Sequence, residues 1–349
     1  MYEDIADWFN IYEAYIRASR GKRSKPNVAA FEHRLEDELW DLYRILQTRS
    51  YRPGGYVSFV IHEPKRRVIS AAPFRDRVVH HALCQITEPV FERSFITDSY
   101  ANRVGKGTHR ALNRCQQFAR RYKYVLQADI RQFFPSIDHQ ILKSILGSKL
   151  KDDEVIDLVE QIIDSGAGVL QEVYEMVYFA GDDLLAATRP RGLPIGNLTS
   201  QFWANCYLNG FDHFVKRKLR CKGYVRFVDD FLLFADDKES LWRWKMELTM
   251  WLARLRLVIH DGAQVQPVSE GVPFLGFIVF PEKRRLKRRK GIHYQRHLKG
   301  LLQLYVDGEI AFEEMTRSVK GWVNHVRYSN SVGLRKRLFR ELLIERRKG

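Results

Sequence analysis

Residues Tyr224–Asp237 read YVRFVDDFLLFADD, and the interpretation of the remaining chain starts from them. Two apolar runs, rich in β-branched and aromatic residues, flank the adjacent carboxylates Asp229 and Asp230. This pattern predicts two short buried strands joined by a tight hairpin, with both acids at its tip. The acids have two explanations. They form a simple Asp-Asp turn, which is frequent in hairpins, or they hold a metal or cation, because burying unpaired carboxylates is costly.

The composition indicates a folded protein with a polyanionic partner. The chain has 349 residues, enough for two or three domains, and its 45% hydrophobic content is typical of globular proteins. A net charge of +16 points to nucleic acid as the simplest partner. An anionic membrane is the rival explanation, but the basic residues are spread along the chain, and no apolar run approaches the roughly 20 residues that span a bilayer. We therefore expect no membrane association.

The cysteines and the N-terminus predict a cytoplasmic location. The four cysteines are far apart and form no CxxC pair, which disfavours a zinc ribbon or a disulfide framework and favours reduced, buried thiols. The N-terminal sequence MYEDIADWFN is acidic and lacks the apolar core of a signal peptide.

The first part of the chain changes its hydrophobic period once. Residues 1–50 carry apolar positions at helical spacing, and residues 51–75 then predict two short strands joined by a turn at Pro64. Arg67 follows this turn and Arg75 opens the next helix. A basic hairpin tip is either a solvated turn or a grip on a phosphate chain. The glycine-rich, basic stretch at 98–115 resembles a phosphate-cradling loop without P-loop spacing.

A second strand-like run, Tyr124–Ala128, ends on Asp129. An acid at the end of a buried strand is better placed to bind a metal than to stabilise the strand. Asp138 is the predicted N-cap of the following helix. Residues 140–190 are predicted to be helical with an irregular acidic insert, whose Asp182 and Asp183 are loop acids.

The last part of the chain is basic and aromatic. GLPIGNLTSQ at 192–201 predicts a turn whose free N–H groups, at a helix start, suit a phosphate or a base. Residues 241–260 are predicted as one amphipathic helix, and GVPFLGFIVF at 271–280 as a hairpin. Seven of the eight residues at 283–290 are basic, and we expect this run to contact nucleic acid. We expect Trp322, His325 and Tyr328 to pack against a duplex.

Three acids at the ends of two predicted strands, in a basic chain, suggest two-metal nucleotidyl transfer. Two Mg²⁺ ions about 3.5–4 Å apart activate a 3′-hydroxyl and stabilise the leaving pyrophosphate. Mg²⁺ suits so sparse an acid set because it takes a few carboxylates together with substrate phosphates. Mn²⁺ is the alternative ion.

Six motifs then resemble those of reverse transcriptases, in the right order. FVDD at 227–230 resembles the YxDD box, ADIRQFFPSIDH at 128–139 the first catalytic motif, GLPIGNLTSQ the motif before the template-contacting helix, and PFLG at 273–276 the primer-grip turn. KRRVISAAPFRDRVVHHAL and SYANRVGKGTHRAL resemble two finger-domain motifs of bacterial enzymes.

The resemblance implies an α+β right-hand polymerase fold whose palm contains an antiparallel sheet. We expect an N-terminal helical segment at 1–50, fingers at 51–121, a palm at 122–282 with a helical insertion at 140–190, and a basic helical thumb at 283–349.

Carried over residue by residue, the resemblance makes Asp129, Asp229 and Asp230 the catalytic metal ligands, with Ile130 beside them at the metal site. Phe134 would exclude a 2′-hydroxyl by steric clash. The implied nucleotide-binding set is Arg67, Arg75, Phe133, Phe134, Ile195, Gly196 and Gln201. The implied primer- and template-binding set is Phe227, Phe274, Leu275, Gly276, Lys287, Arg288 and Arg289. For Arg67 and Arg75, an ordinary surface arginine is the alternative.

The IGxxxSQ form at 195–201 departs from the QGxxxSP of most relatives, including group II intron enzymes. It resembles the reverse transcriptases of diversity-generating retroelements, which copy a template-repeat RNA and misincorporate opposite adenine. The implied partners are a structured template RNA, the RNA/cDNA duplex, dNTPs and a small basic accessory protein oligomer. A reverse transcriptase of phage defence and an inactive RNA-binding scaffold are the alternatives.

The chain departs from the family pattern in two places. Phe227 replaces the usual tyrosine of the YxDD box and keeps its ring. The lysine often found before the primer grip is missing, so His260 or another group takes over its proton donation to pyrophosphate, or that assistance is absent.

Overall fold

A computed structural model describes residues 1–62 and 66–340. The N-terminal helices are α1 (Tyr2–Ile5), α2 (Trp8–Ser19), α3 (Pro26–His33) and α4 (Leu35–Gln47), followed later by the long α5 (Phe74–Glu92). Asp7 caps α2 by accepting hydrogen bonds from two first-turn amides at 2.9 and 3.1 Å. On α4, Leu39, Leu42 and Leu46 recur at helical spacing and are buried. The helices that this spacing predicts are present, and α2 packs along α5.

A two-stranded hairpin precedes α5. Its strands, β1 (Val57–Ile61) and β2 (Arg67–Ala71), pair antiparallel from Val57 opposite Ala71 to Ile61 opposite Arg67. The two predicted strands are therefore confirmed. The turn predicted at Pro64 lies outside the described residues.

A four-stranded antiparallel sheet forms the centre of the fold. Its strands are β3 (Tyr124–Ala128), β4 (Gly223–Phe227), β5 (Asp230–Ala235) and β6 (Gln264–Pro267), in spatial order β4-β5-β3-β6. Along β5, Phe231 and Leu233 enter one hydrophobic cluster, whereas Leu232 and Phe234 enter another. Because side chains alternate across a strand, both faces of this sheet are buried. The predicted α+β fold with an antiparallel central sheet is confirmed.

Helices cover the two faces of the central sheet. The helix α6 (Thr108–Arg121) contributes Leu112 and Phe118 to the cluster on one face. The helices α10 (Leu198–His213) and α11 (Lys238–Ala253) contribute to the cluster on the other face, which also contains the N-terminal helices. Since α10 lies under β4 and β5, it is positioned to support the hairpin that carries the acids.

The chain between β3 and α10 is partly helical. It forms α7 (Phe133–Ser136), α8 (His139–Gly147) and α9 (Asp153–Ser165), and then an irregular segment with two short 3₁₀ turns. Asp138 caps α8 by accepting a hydrogen bond from the Ile141 amide at 3.0 Å, as predicted. Asp182 pairs with Arg189 in the irregular segment, and Asp183 caps a 3₁₀ turn, so both are structural loop acids.

The helix α11 is shorter than the sequence pattern predicts. It ends at Ala253, and a hydrogen-bonded turn over 254–256 follows, with Arg256 at φ 54°. Beyond this turn Leu257 and Ile259 are buried at alternate positions, which is the period of extended chain. The prediction of one helix over 241–260 is confirmed as far as Ala253. Beyond that residue it was wrong, because the alternating Arg/Leu sequence also matches a helical face.

A second antiparallel sheet leads into the C-terminal helices. It consists of β7 (Val272–Phe274), β8 (Phe277–Val279) and β9 (Arg284–Leu286), and α12 (Arg288–Val306), α13 (Phe312–Val326) and α14 (Val332–Phe339) follow. The hairpin predicted from GVPFLGFIVF is therefore confirmed. The basic run at 283–290 is divided between β9 and the start of α12.

Part of that basic run is structural. Arg284 is only 8% exposed, and its guanidinium donates hydrogen bonds to Gln116 Oε1 at 2.9 Å and Asn113 Oδ1 at 2.8 Å on α6. The expectation that the whole run contacts nucleic acid was therefore wrong for Arg284, because β9 turns this side chain toward α6.

The aromatic residues near the C-terminus stack on other rings of the protein. Trp322 stacks on Tyr294 with ring centroids 4.0 Å apart, and Tyr328 stacks on His109 at 3.7 Å. His325 lies 5.0 Å from the Phe277 ring. These rings join the C-terminal helices to each other, to α6 and to β8. That Trp322, His325 and Tyr328 also pack against a duplex stays a prediction.

All four cysteines, Cys84, Cys115, Cys206 and Cys221, are buried free thiols. Burial raises the pKa of each thiol, so these groups are protonated and unreactive. Among the described residues no helix is both long and apolar enough to cross a membrane.

Candidate active site

The hairpin between β4 and β5 has a two-residue turn. Phe227 pairs with Asp230, so Val228 and Asp229 are the central residues. Val228 has φ 59°, a left-handed conformation at the position where tight hairpins prefer glycine. A β-branched residue there is strained by about 1–3 kcal/mol. The surrounding structure must hold this turn in place.

The third acid reaches the same end of the sheet. The β3–β5 ladder ends with Ala128 opposite Phe231. Asp129 follows Ala128, and Asp230 precedes Phe231, so the two acids leave the ladder side by side. The predicted meeting of Asp129, Asp229 and Asp230 through the fold is thus present in the sheet register. Asp129 is also fixed by its carbonyl, which accepts a hydrogen bond from the His260 amide at 2.8 Å.

The three carboxylates strongly influence one another. Burial, and then the charge of Asp129, raise the pKa of Asp229 to about 6. Burial and the charges of Asp129 and Asp229 raise the pKa of Asp230 to about 8. Asp230 Oδ1 is buried and has no hydrogen-bond partner among the described residues. Such an oxygen needs a cation or a proton to compensate for its lost hydration.

These features fit a magnesium site that substrate completes. Among the described residues, no three His, Cys, Asp or Glu side chains form a ready-made metal cage. Mg²⁺ does not need one, because it is usually held by one or two carboxylates together with substrate phosphates. The unpartnered Asp230 oxygen could ligate such an ion, and the clustered negative charge would attract it. Ile130 is buried next to Asp129 and bridges Ile259.

Two predicted cations lie close to the acids. The charge of Arg67 lowers the pKa of Asp229, and the charge of Lys287 lowers the pKa of Asp230. Arg67 is exposed at the start of β2, whereas Lys287 precedes α12 and its amide donates to the Gly276 carbonyl at 3.0 Å. The fold thus brings two cations from distant parts of the chain to the acids. Arg75 begins α5 beside the buried Asp76, and its Nε atom is buried without a hydrogen-bond partner in the described residues.

The predicted nucleotide loop is tied to β2. The Ser70 amide donates to the Ile195 carbonyl at 2.9 Å, and the Ala72 amide donates to Asn197 Oδ1 at 3.0 Å. Asn197 Nδ2 donates to the Ser70 carbonyl at 2.8 Å. Gly196 has φ 118°, and a Cβ atom there would lie 2.9 Å from Ile69 Cγ2. The glycine is therefore required by both conformation and space. Gln201 is half-buried in the first turn of α10.

The predicted aromatic and turn residues divide into buried and accessible ones. Phe133 is 2% exposed and belongs to the core, whereas Phe134 is partly exposed. Phe274 is fully buried, so at the predicted primer grip the partly exposed Leu275 and Gly276 form the accessible turn. Both turn residues have positive φ, 48° and 87°. Phe227 is partly buried against the smaller cluster, and Arg288 and Arg289 are exposed at the start of α12.

One residue at the site was missed from the sequence. Arg226 is fully buried in β4 and forms an ion pair with Asp212 of α10 at 2.7 Å. Its signal is a single charge within the apolar run YVRFV, because a charge inside a buried strand requires a partner.

Comparison with known proteins is consistent with this geometry. The family model for reverse transcriptase (RNA-dependent DNA polymerase) matches residues 61–279, more than half of the chain. An uncharacterized 91 kDa protein in a cob intron of Schizosaccharomyces pombe is 28% identical over 206 residues, covering 55% of this chain and 24% of that protein. Protein YkfC of Escherichia coli is 24% identical over 204 residues, covering 55% and 49%. The group II intron-encoded protein LtrA of Lactococcus lactis is 25% identical over 184 residues, covering 52% and 28%.

The fold is shared with a solved polymerase structure. Apo telomerase from Candida tropicalis superposes with a TM-score of 0.50 at 11% identity, covering 68% of this chain and 49% of that one. The chain spans at most about half the length of these relatives.

Proposed function

The chain belongs to the reverse transcriptase (RNA-dependent DNA polymerase) family, and from this we propose that it copies RNA into DNA by two-metal nucleotidyl transfer. The observation that carries the proposal is the convergence of Asp129, Asp229 and Asp230 at one end of the central sheet, with the buried, unpartnered Asp230 oxygen among them. The primer 3′-oxygen forms a bond to the α-phosphorus of a dNTP as the bond to pyrophosphate breaks.

In this proposal each part of the site has a separate role. Asp129, Asp229 and Asp230 hold two Mg²⁺ ions, with Mn²⁺ as a substitute. When bound, these ions supply Lewis-acid activation of the 3′-hydroxyl and neutralise charge on the leaving group. Arg67 neutralises the triphosphate, and its closeness to Asp229 supports this role. The bulky ring of Phe134 excludes a 2′-hydroxyl. We assign Leu275, Gly276 and Lys287 to the primer end. The closeness of Lys287 to Asp230 and the hydrogen bond from the Lys287 amide to the Gly276 carbonyl support this assignment.

We further propose that the enzyme serves a diversity-generating retroelement. Ile195 and Gln201 support this subtype, because the IGxxxSQ form changes the loop that is tied to β2. The partners would be a structured template RNA, its RNA/cDNA duplex and a small basic accessory protein oligomer, in the reducing cytoplasm to which four free thiols are suited. The second candidate is another group II-like reverse transcriptase, including one of phage defence, because the relatives include a group II intron-encoded protein.

Replacing the metal ligands tests the polymerase function. Asp229→Ala combined with Asp230→Ala should abolish extension of a primed RNA template with dNTPs and Mg²⁺, because no buried carboxylate remains at the turn. Asp236→Ala is the matched control, since Asp236 is an exposed acid just beyond the same hairpin. Full extension by the double variant would refute the proposal.

Sequencing the cDNA tests the subtype. Wild-type enzyme with a retroelement-type RNA should misincorporate mainly opposite adenine, and Ile195→Gln combined with Gln201→Pro, the form of most relatives, should reduce that error. Faithful copying opposite adenine by the wild-type enzyme would favour the second candidate.

A further inference from the structure

Arg226 is fully buried next to the candidate metal site. Its guanidinium donates hydrogen bonds both to α10 and to the β4–β5 turn. Nε and Nη2 donate to the two carboxylate oxygens of Asp212, each at 2.7 Å. Nη1 donates to Asn205 Oδ1 at 3.2 Å and to the carbonyl oxygen of Val228 at 2.8 Å. A buried guanidinium without these partners would be costly. The group therefore joins α10 to the turn that carries Asp229.

The contact with Val228 lies where the backbone needs support. Val228 is in the left-handed region, at the hairpin position that glycine normally fills. Its carbonyl belongs to the peptide that leads directly into Asp229. A hydrogen bond from a fixed donor sets the orientation of that peptide plane, since the peptide is rigid. The peptide that enters Asp229 is thereby held in one orientation.

The anchor of this donor is itself immobile. Asp212 is fully buried and also accepts a hydrogen bond from the Tyr224 hydroxyl at 2.7 Å. Asn205 is buried, and its Nδ2 donates to the Ala101 carbonyl at 2.9 Å. The main chain of Arg226 is paired as well, because its amide donates to the Asp98 carbonyl and its carbonyl accepts from the Tyr100 amide, both at 3.0 Å. The side-chain partners of the guanidinium and the main chain of Arg226 are thus held by further hydrogen bonds.

We propose that Arg226 is a positioning residue for catalysis: it holds the Val228–Asp229 peptide so that Asp229 is presented to the metal ions, with Asp212 and Asn205 as its anchor. This inference rests on the proposed polymerase function. An ion pair that served stability alone would need only Asp212, and buried pairs of that kind can often be replaced by apolar residues without loss. The bond to the strained turn gives Arg226 its additional role.

Arg226→Lys tests the positioning role. Lysine keeps the charge, but its single ammonium group cannot bind both Asp212 oxygens and still reach Val228. The readouts are the rate of single-nucleotide incorporation per active site, from the pre-steady-state burst, and the Mg²⁺ concentration giving half the maximal rate. Both are independent of how much protein is folded. We expect the rate to fall on the order of 100-fold, as for a catalytic group misplaced by about 1 Å, and the Mg²⁺ requirement to rise.

Tyr224→Phe is the matched control. It removes a hydrogen bond to the same Asp212 carboxylate but leaves the contact with Val228 intact. We expect lower thermal stability with the wild-type rate per active site. If Tyr224→Phe lowers that rate as much as Arg226→Lys does, the loss follows general disruption of the ion pair and the proposal is overturned.

A second variant covers the case in which Arg226→Lys does not fold. Asn205→Ala keeps the ion pair and the contact with Val228, and it removes the hydrogen bonds of Asn205 to Nη1 and to the Ala101 carbonyl. It should therefore lower the rate per active site by less than Arg226→Lys and again raise the Mg²⁺ requirement. The positioning role would be overturned if Arg226→Lys had the wild-type rate and the wild-type Mg²⁺ requirement. If only Asn205→Ala folds, the same result in that variant would overturn it. Failure of the polymerase proposal is distinguishable, because the wild-type enzyme would then extend no primer in the same assay.

Discussion

At the residue scale, the raised pKa of Asp230 links metal binding to stability. Its pKa is about 8 in the folded protein against a usual 3.8, so between these values the folded state binds more protons than the unfolded state. Stability therefore falls as pH rises through this range. We expect the melting temperature of the metal-free protein to fall as pH rises from about 4 to about 8.

Asp230→Asn provides the control for this pH dependence. Its melting temperature should fall less over the same range, because the group that takes up the extra proton is gone. Mg²⁺ should stabilise the wild type most at high pH, where the folded state is ionised. Identical pH profiles of the two metal-free proteins would show that Asp230 has an ordinary pKa.

The neighbouring rings Phe133 and Phe134 should behave differently when truncated. Phe134→Ala should let ribonucleotides compete with deoxynucleotides, because the partly exposed ring no longer blocks a 2′-hydroxyl. Phe133→Ala should instead lower the free energy of unfolding by about 3–5 kcal/mol, since Phe133 is in the core. The measurements are single-nucleotide incorporation of rNTP against dNTP and chemical denaturation. Unchanged sugar selectivity in Phe134→Ala would assign the exclusion to another group.

The three acids were predicted to meet because each adjoins a strand-like apolar run in the sequence. The sequence could not predict their surroundings. Asp212 lies 14 residues before Arg226 in a helix with no charge pattern that marks it as a partner. The sequence pattern does not distinguish Phe133 from Phe134. Only the packing of α7 shows that the Phe133 ring is buried and the Phe134 ring is accessible.

At the element scale, the link between β2 and the loop before α10 depends on Asn197. We expect Asn197→Ala to lower the free energy of unfolding by about 2 kcal/mol or more, because the Ala72 amide and the Ser70 carbonyl would lose their partner in a buried place. Asn197→Asp keeps the oxygen that accepts from the Ala72 amide and loses the N–H groups that donate to the Ser70 carbonyl. Its decrease in the free energy of unfolding should therefore differ from that of Asn197→Ala. Chemical denaturation measures both.

The link also predicts a functional effect. Loosening it should raise the apparent KM for dNTP, since Arg67 is on the strand that would move. A wild-type KM in Asn197→Ala would show that the position of β2 does not depend on this side chain.

The boundaries of helices and strands were predicted least well where a sequence matches both the helical period and the strand period. The stretch beyond Ala253 matches both a helical face and an extended strand, and the bridge between Ile259 and Ile130 selects the extended form. For the basic run, sequence indicates charge but not which side of β9 each arginine occupies. Contacts from distant elements settle both cases.

At the scale of the whole molecule, the excess positive charge should govern nucleic-acid binding through exposed residues only. Arg288→Ala should weaken binding of a primed template and reduce the slope of log affinity against log salt by about 1, as for one lost phosphate contact. Arg284→Ala has the same charge change but should mainly destabilise the fold, because its partners are Gln116 and Asn113. Fluorescence anisotropy at several salt concentrations separates the two. Equal salt slopes for Arg288→Ala and wild type would exclude a phosphate contact.

The motifs and the basic run at 283–290 predicted which parts of the chain would contribute side chains to the site. Arg67, Asp129, Asp230 and Lys287 come from four separate regions and lie close together in the structure. The stacking of Trp322 on Tyr294 and of Tyr328 on His109 was not predictable, because an aromatic residue among basic ones looks the same whether it stacks on a base or on another side chain. The partner ring is identified only by the fold.

Because all four cysteines are buried, we expect the native protein not to react with thiol-specific labels. A single cysteine introduced at an exposed position, such as the 94% exposed Val104, would be the one group that reacts. Fluorescent dyes attached to such a position and to a second one on the C-terminal helices would report the distance between them during synthesis. The protein can thus be labelled at a chosen position without first removing its own thiols.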